Sequence, residues 1–215
     1  MKQPEPPGSG QEPLRTPDIT PLLNVLRALY PVSPAVESYL REHISIATVR
    51  KRKMLLKEGT HCEHIYFIVK GAIRGFVREG QRDITTWITV ENQLVSSIFG
   101  LHQRSPAVEN IQALENIQAL ENCDLLAMTL DDLQIMYERL PESNILARKL
   151  LEIYYADAEK RAYIARLTKA ENKYRSFLLH HDPLSNRIPL KYIASYLGMT
   201  LETLSRVRKK FSSKL

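Results

Sequence analysis

The segment GMTLETLSRVRKKF, residues 198–211, gathers side chains suited to the chemistry of recognition. On a helix turning about 100° per residue, Glu202, Ser205, Arg206 and Lys209 share one side, and Leu204, Val207 and Phe211 share the other. A carboxylate, a hydroxyl, a guanidinium and an ammonium in one row are the groups that read base edges. Arginine offers two donors to a guanine, and glutamate accepts from a cytosine amine. Arg208, Lys210 and Lys214 flank the row and suit phosphates. So do the hydroxyls of Thr200 and Thr203, beside the free N–H groups at the helix start. A solvated basic helix would carry the same charge and read nothing. The opposed faces, the cap and the turn together weigh against it.

Such a helix needs a partner to hold it. Pro189 can open a short helix over residues 190–197, with Ile193, Ala194 and Leu197 facing inward. Gly198 should end that helix in the left-handed conformation, and Thr200 should cap the next one. Two helices across a short turn containing glycine form a helix-turn-helix.

The charge distribution agrees. The chain has 215 residues and a net charge of +6. Residues 1–147 hold 15 Lys/Arg against 18 Asp/Glu, a net of −3, and residues 148–215 hold 15 against 6, a net of +9. An acidic body with a basic C-terminal third points to a polyanionic partner for that third.

Residues 1–18, rich in Pro, Gly, Glu and Gln, read as a flexible arm. PLLNVLRAL and PAVESYLREHI read as short amphipathic helices. Between Met54 and Gly100 the chain breaks into β-branched and aromatic runs separated by Gly or charged turns. These predict antiparallel strands in a sandwich or jelly roll, with Gly59, Gly71, Gly75 and Gly80 at turns or strand ends. Residues 109–120 repeat ENIQAL twice, and an even insertion keeps the same side chains inward if the segment is a strand.

Helical periodicity returns after Thr129, a candidate cap. The longest helical run is 142–166. Leu146, Leu150, Tyr154 and Ala158 repeat at four, with Ala147, Leu151 and Tyr155 alongside. A stripe this broad predicts a dimer seam along Leu146, Leu150, Tyr154 and Ala158; packing against the chain's own sheet is the other use for it. Thr168 and Glu171 suggest a capping box for a further helix.

Several classes are excluded. Cys62 and Cys123 make neither a disulfide framework nor a CxxC motif, and two thiols are too few for a cysteine-held cluster. His180 and His181 are adjacent and would diverge on a helix. No metal site, cofactor or catalytic residue is therefore expected. GxGxxG, Walker, HExxH and GxSxG sequences are all missing, so an enzyme is not expected. No apolar run is long enough for a membrane span and no signal peptide opens the chain, so a cytoplasmic location away from membranes is expected.

PLKYIASYLGMTLETLSRVRKKF resembles the C-terminal helix-turn-helix of the cyclic-AMP receptor/fumarate–nitrate regulator (Crp/Fnr) superfamily, in the form common in Bacteroidetes. KEGTHCEHIYFIVKGAIRGF resembles the sensor jelly roll of the same superfamily. The resemblance implies an α+β fold: a cyclic-nucleotide-binding-like jelly roll over 19–141, a dimerisation helix over 142–166 and a winged helix-turn-helix over 167–215. It implies a homodimeric transcription regulator on pseudo-palindromic double-stranded DNA, with RNA polymerase and a small-molecule effector among its partners. It places base reading on Glu202 and Arg206, with Thr200 and Thr203 near the backbone. Leu201 stands where nucleotide-responsive members often carry arginine, so a different operator is expected. In the sensor, Arg104 and Ser105 look like half of a cyclic-nucleotide cassette and form the candidate effector pocket. Pro106 interrupts the cassette and no glutamate precedes Gly100, so tight cyclic-AMP binding is not expected. The alternative function is a small-molecule sensor or interaction module whose last helices only contact protein.

Overall fold

The computed structural model describes residues 16–97, 115–181 and 186–212. Two short helices come first, α1 (Thr20–Leu29) and α2 (Pro34–His43). The Ser33 side chain accepts from the N–H of Val36, and Pro34 occupies the first helical position, where its missing N–H costs nothing.

Eight strands follow among the described residues: β1 (Ser45–Val49), β2 (Met54–Leu56), β3 (His64–Lys70), β4 (Ile73–Glu79), β5 (Arg82–Thr89), β6 (Leu94–Val95), β7 (Asn116–Ala119) and β8 (Cys123–Thr129). They pair antiparallel in two four-stranded sheets, ordered β1-β8-β3-β6 and β2-β7-β4-β5. This is a jelly roll. Ile68, Ile73, Ile117 and Leu125 pack between the sheets. The second ENIQAL copy supplies β7, with Ile117 and Ala119 buried. The first copy lies outside the described residues.

Gly75 corrects one sequence expectation. It lies inside β4, beside a bulge, not at a turn. A Cβ there would collide with the Trp87 indole, so the glycine makes room for that ring across the strand pair.

Helix α3 (Leu130–Arg139) is capped by Thr129, whose hydroxyl accepts from the N–H of Asp132 at 3.0 Å. Helix α4 (Glu142–Arg166) then runs for 25 residues. Its Leu146 joins Phe67, Leu126, Met136 and residues of α1 and α2 in a second core. Leu150 packs against that core. The Tyr154 hydroxyl accepts from the N–H of Leu94 at 2.7 Å and donates to the carbonyl of the same residue at 2.9 Å. Burial pushes this phenol up to about 12. Leu146, Leu150 and Tyr154 are therefore committed to the chain's own sheet and do not form a free seam. Of the expected stripe only Ala158 is left, half-buried, and it lines up with an exposed apolar row at Leu151, Tyr155 and Ala162, with Leu151 58% and Tyr155 68% exposed. Spacings of four, three and four are those of a coiled-coil seam.

Three more helices follow among the described residues: α5 (Ala170–His181), α6 (Leu190–Tyr196) and α7 (Leu201–Ser212). Helix α5 begins at Ala170, later than a Thr168 cap requires, and Glu171 reaches Lys210 instead of closing a capping box. Among the described residues this C-terminal unit is helical. No helix among the described residues is long and apolar enough to cross a membrane.

Candidate nucleic-acid interface

The turn between α6 and α7 is built from three local devices. Pro189 stands just before α6. At its other end Gly198 takes φ 61°, and the N–H of Met199 reaches back to the carbonyl of Ala194 at 3.0 Å. The Lys173 ammonium donates to the carbonyl of Leu197 at 3.0 Å, satisfying another terminal acceptor. Thr200 then opens α7: its hydroxyl accepts from the N–H of Thr203 at 3.1 Å.

Helix α7 is divided by side as its spacing implies. Leu204 and Val207 are buried against Tyr174, Phe177, Ile193 and Leu197. Phe211 meets Tyr174 edge to face, with ring centroids 5.4 Å apart. Glu202, Ser205, Arg206 and Lys209 are exposed together on the other side. The Glu202 carboxyl is held below its ordinary range by its own backbone N–H and by the Thr200 hydroxyl, so it stands ready as an anionic acceptor. Among the flanking cations, Lys210 contacts Glu171 at 3.1 Å and Arg208 donates to Asn186 at 3.2 Å. Lys214, Arg104 and Ser105 lie outside the described residues.

Three groups that sequence reasoning missed join this unit to the jelly roll. Arg74 is buried, its guanidinium 4.0 Å from the Phe76 ring and 4.2 Å from the Tyr192 ring of α6. It donates to Gln118, Thr85 and Asp83, with the Asp83 carboxylate pairing its charge at 2.7 Å. The Ser195 hydroxyl accepts from the N–H of Thr85 at 2.9 Å and donates to the carbonyl of Asp83 at 3.0 Å. Arg187 bridges Glu91 and Glu121, both at 2.7 Å. Ala72, Ile88 and Leu120 of the jelly roll belong to the same apolar cluster as Leu197 and Leu204. The hydrogen-bond partners of Ser195 and Arg187 lie 66 to 112 positions away, so no local pattern could reveal them.

A cavity of about 620 Å³ opens between β5, β6 and α4. Trp87, Gln93, Glu115, Tyr154, Arg161 and Tyr196 are among its walls. Burial raises the Glu115 carboxyl, although the Trp87 indole N–H donates to it at 2.9 Å. Among the described residues no cluster of His, Cys, Asp and Glu could hold a metal ion.

No protein-family model matches the chain, and no curated protein matches it. Solved structures do. The c-di-GMP responsive global regulator CLP from Xanthomonas campestris is 15% identical with a TM-score of 0.64, covering 83% of this chain and 91% of that one. FixK2 from Bradyrhizobium japonicum is 20% identical with a TM-score of 0.65, covering 80% and 85%. A transcriptional regulator of the Crp/Fnr family from Eubacterium rectale is 17% identical with a TM-score of 0.64, covering 87% and 88%. This chain therefore has the Crp/Fnr fold, a cyclic-nucleotide-binding-like jelly roll joined to a helix-turn-helix.

Proposed function

We propose that this Crp/Fnr-fold chain is a cytoplasmic, homodimeric, sequence-specific DNA-binding regulator of transcription. One observation carries the reading: Glu202, Ser205, Arg206 and Lys209 stand exposed in one row on a helix whose opposite side is buried. Glu202 and Arg206 take base edges, Ser205 and Lys209 extend the row, and Thr200, Thr203, Arg208, Lys210 and Lys214 take the backbone. The division of labour follows the order of the chain. Residues 19–141 form the sensor, 142–166 the dimerisation helix and 167–215 the DNA-binding unit. Pairing along Leu151 and Tyr155 would set two copies of α7 in successive major grooves about 34 Å apart on a pseudo-palindrome.

The test is selection of bound fragments from a genomic library, followed by titration across salt. Enrichment of one pseudo-palindromic sequence and a steep fall of affinity with salt are expected. No enrichment, with affinity indifferent to salt, would favour a module whose last helices contact only protein.

An effector other than cyclic AMP is proposed for the sensor, in the cavity between α4 and the sheet. Calorimetry with cyclic AMP and cyclic GMP should show no micromolar binding. A micromolar constant that is lost on Arg104→Ala would overturn this.

A further inference from the structure

The turn between β1 and β2 carries four cations in succession, Arg50, Lys51, Arg52 and Lys53, all exposed. Among the described residues none of the four side chains has an ion-pair or hydrogen-bond partner. The backbone beneath them is fixed. The N–H of Arg52 donates to the carbonyl of Ala119 at 2.8 Å, and the N–H of Ala119 donates to the carbonyl of Lys53 at 3.0 Å. The Asn122 side chain accepts from the N–H of Lys51 at 2.9 Å, and the Gln118 amide donates to the carbonyl of Arg52 at 3.1 Å.

Arg52 has φ 70°, in the left-handed region where glycine costs least and a long side chain is strained. The turn keeps a cation at the position that disfavours one. Strain retained at a residue with no partner in the fold points to use outside it.

The location supplies the partner. The turn hangs on residues 118–122, and the helix-turn-helix docks on the same segment. Leu120 is buried in the apolar cluster of α6 and α7, and Glu121 is paired with Arg187 at 2.7 Å. Arg187 also takes up Glu91. Both carboxylates are matched within the molecule, while the four turn cations are not.

We propose that the turn Arg50–Lys53 is a second DNA contact, gripping phosphates that flank the half-site read by α7. The inference rests on the reading of α7 as a DNA-binding helix. The turn carries no base-reading geometry, so its contribution is affinity and salt dependence, not specificity. Its pinned backbone leaves only the side chains to be ordered on binding.

The experiment uses the full chain and a fluorescein-labelled mixed-sequence duplex of about 40 base pairs, long enough to extend beyond one dimer site. Affinity is measured across salt for the wild type and two quadruple variants. One changes Arg50, Lys51, Arg52 and Lys53 to Gln. The other changes Arg27, Arg41, Arg139 and Arg148, on the helices around the other core, to Gln and removes the same charge. The turn variant should lose roughly tenfold or more in affinity, and its salt slope should fall by about 2–4 per monomer, at about 0.9 per phosphate contact. The control variant should keep its slope. Arg52→Gly guards against a folding artefact: it should raise the melting temperature, by relieving φ 70°, while lowering the slope by about one. An unchanged slope in the turn variant or in Arg52→Gly, or an equal loss in both quadruple variants, overturns the inference and leaves α7 as the DNA reader. A wild type that binds no duplex overturns both.

Discussion

Arg187 and Glu91 meet through two parallel hydrogen bonds of 2.7 and 3.0 Å, across the boundary between the helix-turn-helix and the jelly roll. The two residues are 96 positions apart. Forked arginine–carboxylate pairs fix orientation as well as distance. With Glu121 on the same guanidinium, the pair sets how the helix-turn-helix sits on the jelly roll.

That pair has a pH signature. The hydrogen bond from Arg187 is the largest influence on the Glu91 carboxyl, and the N–H of Gly71 assists it. Together they outweigh burial and hold the carboxyl down to about 2, against an ordinary 4.5. A depressed folded pKa means stability that is present above the unfolded value and lost as pH falls toward the folded one. The contribution should therefore disappear between about pH 4.5 and about pH 2. Both groups are partly exposed, so screening holds the pair to about 1 kcal/mol. Arg187→Gln should lower the melting temperature near pH 7 by about 2–4 °C, and the gap to wild type should close across that acid window. A gap that persists undiminished to about pH 2 would show that Glu91 is not its source.

The dimer seam proposed for α4 gives a second measurement. Glutamate at Leu151 or Tyr155 should leave the fold intact and convert a dimer into a monomer in light scattering, since both side chains face outward. Leu146→Ala should instead cost about 2–5 kcal/mol of stability whatever the assembly, because Leu146 is only 4% exposed. A Leu151→Glu protein that remains a dimer would move the seam elsewhere.

These two variants also mark where the sequence was legible. The helix-turn-helix could be read because its signals are local: Gly198, Thr200 and the spacing of Leu204, Val207 and Phe211 act within a few residues. The jelly roll was legible as strands and turns, though not as an order of strands. The phase of α4 was not legible, because Leu150/Leu151 and Tyr154/Tyr155 are adjacent apolar pairs and either member could face the sheet. The choice is made by the backbone of Leu94, 60 residues away, which bonds the Tyr154 hydroxyl. Gly75 reads as a turn in sequence, and only the Trp87 ring across the strand pair explains it.

Gly75→Ala should be costly for that reason. The new methyl group must displace the Trp87 indole and with it the hydrogen bond to Glu115. Overpacking of this kind costs about 1–3 kcal/mol. Trp87 is the only tryptophan of the chain, so its fluorescence reports the displacement directly. Gly80→Ala is the comparison: a Cβ there meets nothing within 4 Å, and only its φ of 61° resists substitution. If Gly80→Ala shifted the emission as much as Gly75→Ala, steric exclusion at Gly75 would not be the cause.

Arg206 and Lys210 carry the same charge four residues apart, yet they should do different work. Arg206 stands exposed in the row with Glu202, and its planar fork can offer two donors to the O6 and N7 of one guanine. Lys210 rests on Glu171 in the free protein and exchanges that exposed contact for a phosphate on binding. Arg206→Ala should cost about 1–3 kcal/mol on the preferred operator and flatten discrimination at one base position per half-site. Lys210→Ala should weaken all sequences alike and lower the salt slope by about one per monomer. Neither change should unfold the protein, because both side chains are exposed. A panel of single-base operator variants, titrated with wild type and each mutant, separates the two roles. If Arg206→Ala lost affinity uniformly and kept its base preferences, the guanidinium would be a backbone contact, and base reading would fall to Glu202, Ser205 and Lys209.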